Sequence, residues 1–296
     1  MKALLMYIAT MVNRIIFIFL GFIILGWSFT PANAHVLQGP HILDLMTKKL
    51  GTANRLLVSQ KLILYNNPQS NSFELSETLR YIFPEQFRSD ILSDNAQRIH
   101  VISKGAALTV IDGKVIADKE NWMDYYKDII LYRSRIMLQK RLASLGVNVS
   151  VSSLGRFQGE IAYVIGAQYP DESVPQVWID KDTFRPMRWL FAGNNDLPSA
   201  STESGKDFLE VRYYNWQPVE KTWYPMRIEL YQNDVLIRKI NVDQITVSPS
   251  FPEDLFDIKH LQSIYSPASP FVQDQNKTEG LSEVQKAIEE FKKIYE

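Results

Sequence analysis

From Leu56 to Val247 apolar positions recur mostly at every second residue, the period of a strand with one buried face. The clearest run is Trp223–Gln232, where Tyr224, Met226, Ile228 and Leu230 share one face while Arg227 and Glu229 take the other. Before it, Leu56–Tyr65, Phe73–Ile82 and Ile99–Ser103 read as strands. Ala107–Ile111 and Lys114–Ile116 flank Asp112-Gly113, a strong hairpin signal. Val147–Phe157, Glu160–Gln168, Gln176–Asp180, Arg185–Phe191, Phe208–Trp216 and Val235–Val247 extend the series. Short polar turns join successive strands without helices between them, which predicts an antiparallel meander rather than a parallel α/β sheet.

Helical spacing interrupts this pattern twice. Ile42–Leu50 forms a short helix stopped by Gly51, and Trp122–Leu145 predicts a long one capped by Gly146. In the long helix, Leu131, Leu138, Leu142 and Leu145 make one apolar stripe, and Tyr125, Ile129, Tyr132 and Ile136 make another on roughly the opposite side. Two stripes imply burial on both sides: either between the sheet and another helix, or as a plug in the mouth of a half-open barrel. Residues 262–280 turn rich in Ser, Pro, Gln and Asn and read as a linker. A last helix, 281–296, carries Leu281, Val284, Ile288, Phe291 and Tyr295 at helical spacing, a docking face.

The first 34 residues have their own logic. Lys2 and Arg14 are their only charges, the apolar run Ile15–Trp27 follows, and Ala32-Asn33-Ala34 supplies a small-residue cleavage site. The run is shorter than the roughly 20 residues that span a bilayer. Residues 1–34 are therefore expected to be a cleaved signal peptide, with a retained anchor as the alternative, and the domain 35–261 is expected in a bacterial periplasm.

Composition removes several function classes. With 32 basic and 33 acidic side chains the chain has no field to hold nucleic acid. There is no cysteine, and the four histidines (His35, His41, His100 and His260) form no local ligand pair, so no metal and no cofactor is expected. G-x-S-x-G, S-x-x-K, H-E-x-x-H and P-loop patterns are all missing. Asp171-Glu172 and Glu253-Asp254 read as solvated turn charges, and His100 and His260 as surface or structural histidines, so no catalytic residue is assigned. What stands out is aromatic: Trp122, Trp178, Trp189, Trp216 and Trp223, with Tyr213, Tyr214, Tyr224 and Tyr231. Such residues suit a sheet core, a lined hydrophobic cavity, or a stacking platform for sugars. Inward tryptophans would favour lipid and outward ones sugar.

The segment Val177-Trp178-Ile179-Asp180-Lys181-Asp182-Thr183-Phe184-Arg185-Pro186-Met187-Arg188-Trp189 resembles a strand–turn–strand of periplasmic lipoprotein carriers of the Lol type. Tyr213-Tyr214-Asn215-Trp216, then Trp223-Tyr224-Pro225 and Val235–Val247, are similar to that family's following hairpins, and Pro252-Glu253-Asp254-Leu255-Phe256 to its closing motif. The resemblance covers about Gln176 to Ile258, and the chain departs from a plain carrier in the helix 122–145 and in its extension beyond Gln262. It implies a mainly β (α+β) fold: an unclosed, curved antiparallel β-barrel with helices covering the concave side. It further implies a non-enzymatic binder or carrier of lipids or acylated lipoproteins, as in outer-membrane lipoprotein sorting, with a membrane-bound transfer partner. The candidate lining of an apolar cavity is Met187, Trp189, Phe191, Tyr224, Met226, Ile228 and Leu230, with Ile129, Ile136 and Leu138 on a lid helix. The competing readings are an envelope sensor and a carbohydrate- or envelope-binding structural protein that uses surface aromatics; an enzyme using scattered carboxylates stands third.

Overall fold

The computed structural model describes residues 36–65, 72–93, 97–192 and 208–267. The leader 1–34, the helix 281–296 and most of the linker 262–280 lie outside the described residues. Helix α1 (Gly39–Leu50) precedes six strands: β1 (Arg55–Leu64), β2 (Phe73–Ile82), β3 (Gln86–Leu92), β4 (Gln97–Ser103), β5 (Ala106–Ile111) and β6 (Lys114–Ala117). A helical segment follows, made of a 3-10 turn (Trp122–Lys127), α2 (Asp128–Leu131) and α3 (Arg135–Ser144). Seven more strands come next: β7 (Ser152–Phe157), β8 (Glu160–Ile165), β9 (Gln176–Asp180), β10 (Pro186–Ala192), β11 (Phe208–Val219), β12 (Thr222–Gln232) and β13 (Val235–Val247). A second 3-10 turn (Glu253–Phe256), α4 (Ile258–Ile264) and the two-residue β14 (Ser266–Pro267) end the described chain.

All of these strands belong to one sheet, in the order β14-β6-β5-β4-β3-β2-β1-β13-β12-β11-β10-β9-β8-β7. The sheet is curved and unclosed, with β7 at one edge and β14 at the other. Neighbours run antiparallel except β14, which pairs in parallel with β6. Two meanders, β1–β6 and β7–β13, are joined where β1 pairs with β13 from Leu56↔Val247 to Leu64↔Arg238. The tight turns follow local chemistry. Asp112-Gly113 (φ 49° and 75°) and Asn233-Asp234 (φ 49° and 63°) both take the left-handed conformation that two-residue hairpins need.

The expected continuous helix 122–145 is two helices and a 3-10 turn. The chain leaves helical geometry at Tyr132 (φ −83°, ψ 77°) and re-enters after the extended Ser134. Electrostatics explains the break: Arg141 pairs with Asp128 and Glu120. In a straight helix Asp128 and Arg141 would lie about 20 Å apart. The two stripes read from the sequence therefore belong to different pieces. α2 is buried all round at Ile129, Ile130 and Leu131, while α3 buries Leu138 and Leu142 and leaves Ile136 70% exposed. No element is expected from the sequence at β3, whose outer face carries the paired Arg88 and Asp90. The strands expected from Val147 and to Gln168 begin at Ser152 and end at Ile165. The Ser- and Pro-rich stretch from Gln262 begins inside α4.

Three apolar clusters hold the fold. The largest lies on the concave side, where α1, the helical segment and the inner faces of both meanders meet. On the convex side, Ile99, Val101, Leu108 and Val110 are roofed by Phe256 and Leu261. Asp257 caps α4 by accepting from the backbone N–H groups of Lys259 and His260. The third cluster sets Ala162, Val164, Ala167, Trp178 and Leu190 on the convex faces of β8–β10.

Phe256 is 3% exposed, so Phe256→Ala should destabilise the fold by about 3–5 kcal/mol. Ile264→Ala, at a side chain 58% exposed, should stay within about 0.5 kcal/mol. Urea midpoints of the two variants check the contrast; equal midpoints would mean that the roof adds no burial.

Candidate functional site

The concave face is divided by chemistry. Across β10–β12 it is apolar: Trp189, Phe191, Leu209, Val211, Tyr213, Tyr224, Ile228 and Leu230 are all buried there. Trp189 and Phe191 pack with ring centroids 4.8 Å apart, and Tyr125 of the helical segment lies 5.5 Å from Phe191. Ile129, Ile130, Leu131 and Leu138 fill the hollow from the helical side.

Seven of the ten residues singled out from the sequence share this cluster: Trp189, Phe191, Tyr224, Ile228, Leu230, Ile129 and Leu138. Met226 is half-buried at its border. The structure sets two apart. Met187 lies on the convex side, packed against the cluster of Trp178 and Leu190 after a register shift between Pro186 and Arg188. Ile136 faces solvent on α3. Among the tryptophans, Trp122, Trp189 and Trp216 belong to the concave side and Trp178 to the convex cluster. Trp223 is half-buried, with the Arg185 guanidinium 3.9 Å above its ring.

Across β1–β5 the same face is again mainly apolar, with Leu56, Val58, Leu62, Leu79 and Phe87, but a few polar side chains are set among these. Gln60 Nε2 donates to Glu77 at 2.6 Å, Ser89 Oγ donates to the other Glu77 oxygen, and His100 Nδ1 bonds Thr109 Oγ1 at 2.9 Å. Burial pushes the Glu77 carboxyl up despite its two donors. Burial likewise pushes His100 down, to about 4, so its ring is neutral at physiological pH.

Polar side chains of the concave face grip the 3-10 turn. Arg98, from β4, pairs with Asp124, and both are buried. Arg238, from β13, donates to the Met123 carbonyl at 3.0 Å, and Tyr213 donates to the Tyr126 carbonyl at 2.7 Å. Against the cost of burial, the Arg98 and Arg238 guanidiniums hold the Asp124 carboxyl below its usual range.

A second charged knot fastens α3 back onto the same segment. Lys127 Nζ lies 2.6 Å from Glu120 and 3.0 Å from Asp128, and Arg141 reaches Glu120 at 2.7 Å and Asp128 at 2.6 Å. Burial would lower the Lys127 ammonium, but Asp128 and Glu120 overcome it and hold the group firmly charged. At the break between α2 and α3, Arg133 donates to Thr222 Oγ1 at 2.7 Å and lies 3.7 Å over the Phe83 ring. Thr222 in turn donates to the Leu50 carbonyl, which ties α1, β12 and the plug together.

The sequence reading missed these charged groups. A signal was available: Gln60, Glu77 and Arg238 occupy inward positions of alternating runs whose other inward members are Leu, Val, Ile or Tyr. Among the described residues no three His, Asp or Glu side chains are placed to hold a metal ion, and no described helix is long and apolar enough to cross a membrane.

His100 gives a pH test. Its folded pKa is about 4 and its unfolded value near 6.5, so the unfolded chain takes up the proton first as pH falls. The stability from the neutral ring is complete above about pH 6.5 and is lost towards pH 4. Between pH 7 and pH 5 the wild type should lose about 2 kcal/mol more than His100→Gln. Denaturant titrations of both proteins at the two pH values measure this; parallel losses would mean that the ring titrates normally.

No family model matches the chain, and no curated protein matches it. Among solved structures, it is similar to a LolA superfamily protein from Nitrosomonas europaea, with a TM-score of 0.52 at 11% identity over 76% of this chain and 100% of that one. It is also similar to a putative outer membrane lipoprotein-sorting protein domain from Vibrio parahaemolyticus, with a TM-score of 0.51 at 12% identity over 75% of this chain and 97% of that one. The unclosed curved sheet with helices in its hollow is thus the fold seen in LolA-superfamily proteins.

Proposed function

We propose that this protein is a non-enzymatic carrier that takes acyl chains, of lipids or of acylated lipoproteins, into its concave face. The observation that carries this is the composition of that face. One wall of a hollow that stays open at the sheet edges is continuously apolar across β10–β12, and its filling is the chain's own helical segment 120–144 rather than a second sheet. Moving an acyl chain of about sixteen carbons out of water is worth roughly 12 kcal/mol at about 0.8 kcal/mol per CH₂. A continuous apolar wall such as Trp189, Phe191, Val211, Ile228 and Leu230 can supply that, and scattered surface contacts cannot. The segment that fills the hollow buries Ile129, Ile130 and Leu131 against this wall and is fastened by charge pairs and backbone carbonyl contacts, so cargo would replace those apolar side chains like for like. The fold likeness to a lipoprotein-sorting domain supports this reading, as does a leader expected to send the chain to the periplasm. There it would pass cargo to a membrane-bound partner.

The direct test is organic extraction and mass spectrometry of the purified protein, followed by titration of the delipidated protein with a fluorescent hexadecanoic acid. Saturable uptake of about one probe per chain is expected. Arg141→Met should loosen the knot on α3 and speed uptake by about tenfold while the amount bound at saturation stays the same. No extracted lipid and no saturable probe binding would sink the carrier reading.

A further inference from the structure

The charges in the hollow point to the kind of cargo, and this inference rests on the carrier reading. Arg98 and Arg238 stand on the concave face, 0% and 1% exposed, in strands from opposite sides of the β1–β13 seam. They close on adjacent residues of one 3-10 turn, Arg98 on the Asp124 carboxylate and Arg238 on the Met123 carbonyl. A guanidinium cannot shed its proton in a protein, so burying two of them commits the hollow to an anion. Stability does not require this: a buried ion pair is commonly no better than well-packed apolar groups of similar volume. A hollow meant purely for hydrocarbon would be expected to carry leucines at both positions.

Two further polar atoms share this part of the face. Gln60 Oε1 and His100 Nε2 are buried and have no hydrogen-bond partner among the described residues. When Thr109 donates to His100 Nδ1, Nε2 carries the proton and is a donor. The rest of the concave lining is mainly apolar, across β10–β12 and from Leu56, Leu62, Leu79 and Phe87 of the first meander. The hollow therefore sets one small polar group, around Arg98 and Arg238, in an apolar lining, the division found in a single-chain amphiphile.

We propose that the cargo is an acyl compound with an anionic head, a carboxylate or a phosphate monoester, and that Arg98 and Arg238 receive that head, with Asp124 occupying its place while the hollow is empty. Asp124 belongs to the segment that leaves when cargo enters, whereas both arginines stay on the sheet. The chain's own carboxylate is then an internal competitor, and exchange of one anion for another avoids stranding two buried cations.

Isothermal titration of the full-length protein with dodecanoate, dodecyl phosphate and dodecanol tests this, since the three share a chain and differ in the head. The wild type should bind at least one anionic probe about tenfold or more tighter than dodecanol, and the tighter of the two identifies the head. Asp124→Asn removes the competitor and should widen that ratio. The double variant Arg98→Met with Asp124→Leu removes one receiving cation together with the competing carboxylate, leaves Arg238 as the other, and should narrow the ratio severalfold without weakening dodecanol. Circular dichroism confirms that both variants fold. Equal affinity of the wild type for all three probes, or a ratio that the double variant leaves unchanged, would overturn the anionic head and leave the carrier reading standing. Binding of none of the three would overturn the carrier reading and this inference with it.

Discussion

The pairing of β1 with β13 turns two separate meanders into one concave surface. Each meander is a run of local hairpins. The seam joins strands almost the whole described chain apart, and it merges the inner faces of β1–β5, where Gln60, Glu77 and Arg98 stand among apolar side chains, with the apolar inner faces of β10–β12. Its register matters as much as its existence. Side chains alternate faces, so a slip of one residue would turn Val58, Leu62 and Ile240 outward. A bulge at Asp243, opposite Ser59 and Gln60, adds curvature at this point and lets Ile245 and Val247 share the inner face with Ile240 and Val242.

A hollow of this size must be filled. Hydrophobic burial alone would favour one straight amphipathic helix; the chain instead folds a short, fully buried helix into the sheet and turns an amphipathic one back over it. Charges set this arrangement. Lys127 and Asp128 are fully buried and tolerable there only because Glu120 and Arg141 complete a closed set of pairs. Removing any one member would leave a charge unmatched in a low-dielectric site, so the knot holds as a unit or opens as a unit.

Period-two patterning made most of the sheet legible, because for β1, β2, β12 and β13 one face meets the core and the other water. Val235–Val247 was read with the bounds it has. Legibility failed where that premise fails. Strands β8–β10 have apolar clusters on both faces, so alternation could not say that Met187 belongs with Trp178 and Leu190 rather than with Trp189 and Phe191. Strand β3 hid because Arg88 and Asp90 pair on its outer face, with Asp90 also meeting Arg80 of β2 across the ladder. The helix break was invisible because its cause, Arg141 reaching back to Asp128 and Glu120, is a tertiary contact. Period two made the buried inner face of β10–β12 legible; the charged groups were harder to read, since a lone polar residue in an apolar run looks the same whether it is an error of register or a buried partner.

An unclosed sheet has a cost that full closure would remove: two edges with unpaired backbone groups, each able to recruit another strand. The ends of this sheet are built to blunt that hazard. One ends in β14, only two residues long and containing a proline that cannot donate. The other ends in β7, where Gly155 lets Trp178 and Tyr169 lie against the backbone; a Cβ there would come within 2.7 Å of the Trp178 ring. Arg156 keeps a charge exposed on the same strand. Natural barrels that need no entrance close and avoid these devices altogether. Proline, glycine and charge at the edges thus let the sheet stay unclosed, while an ion-paired segment of the same chain fills its hollow.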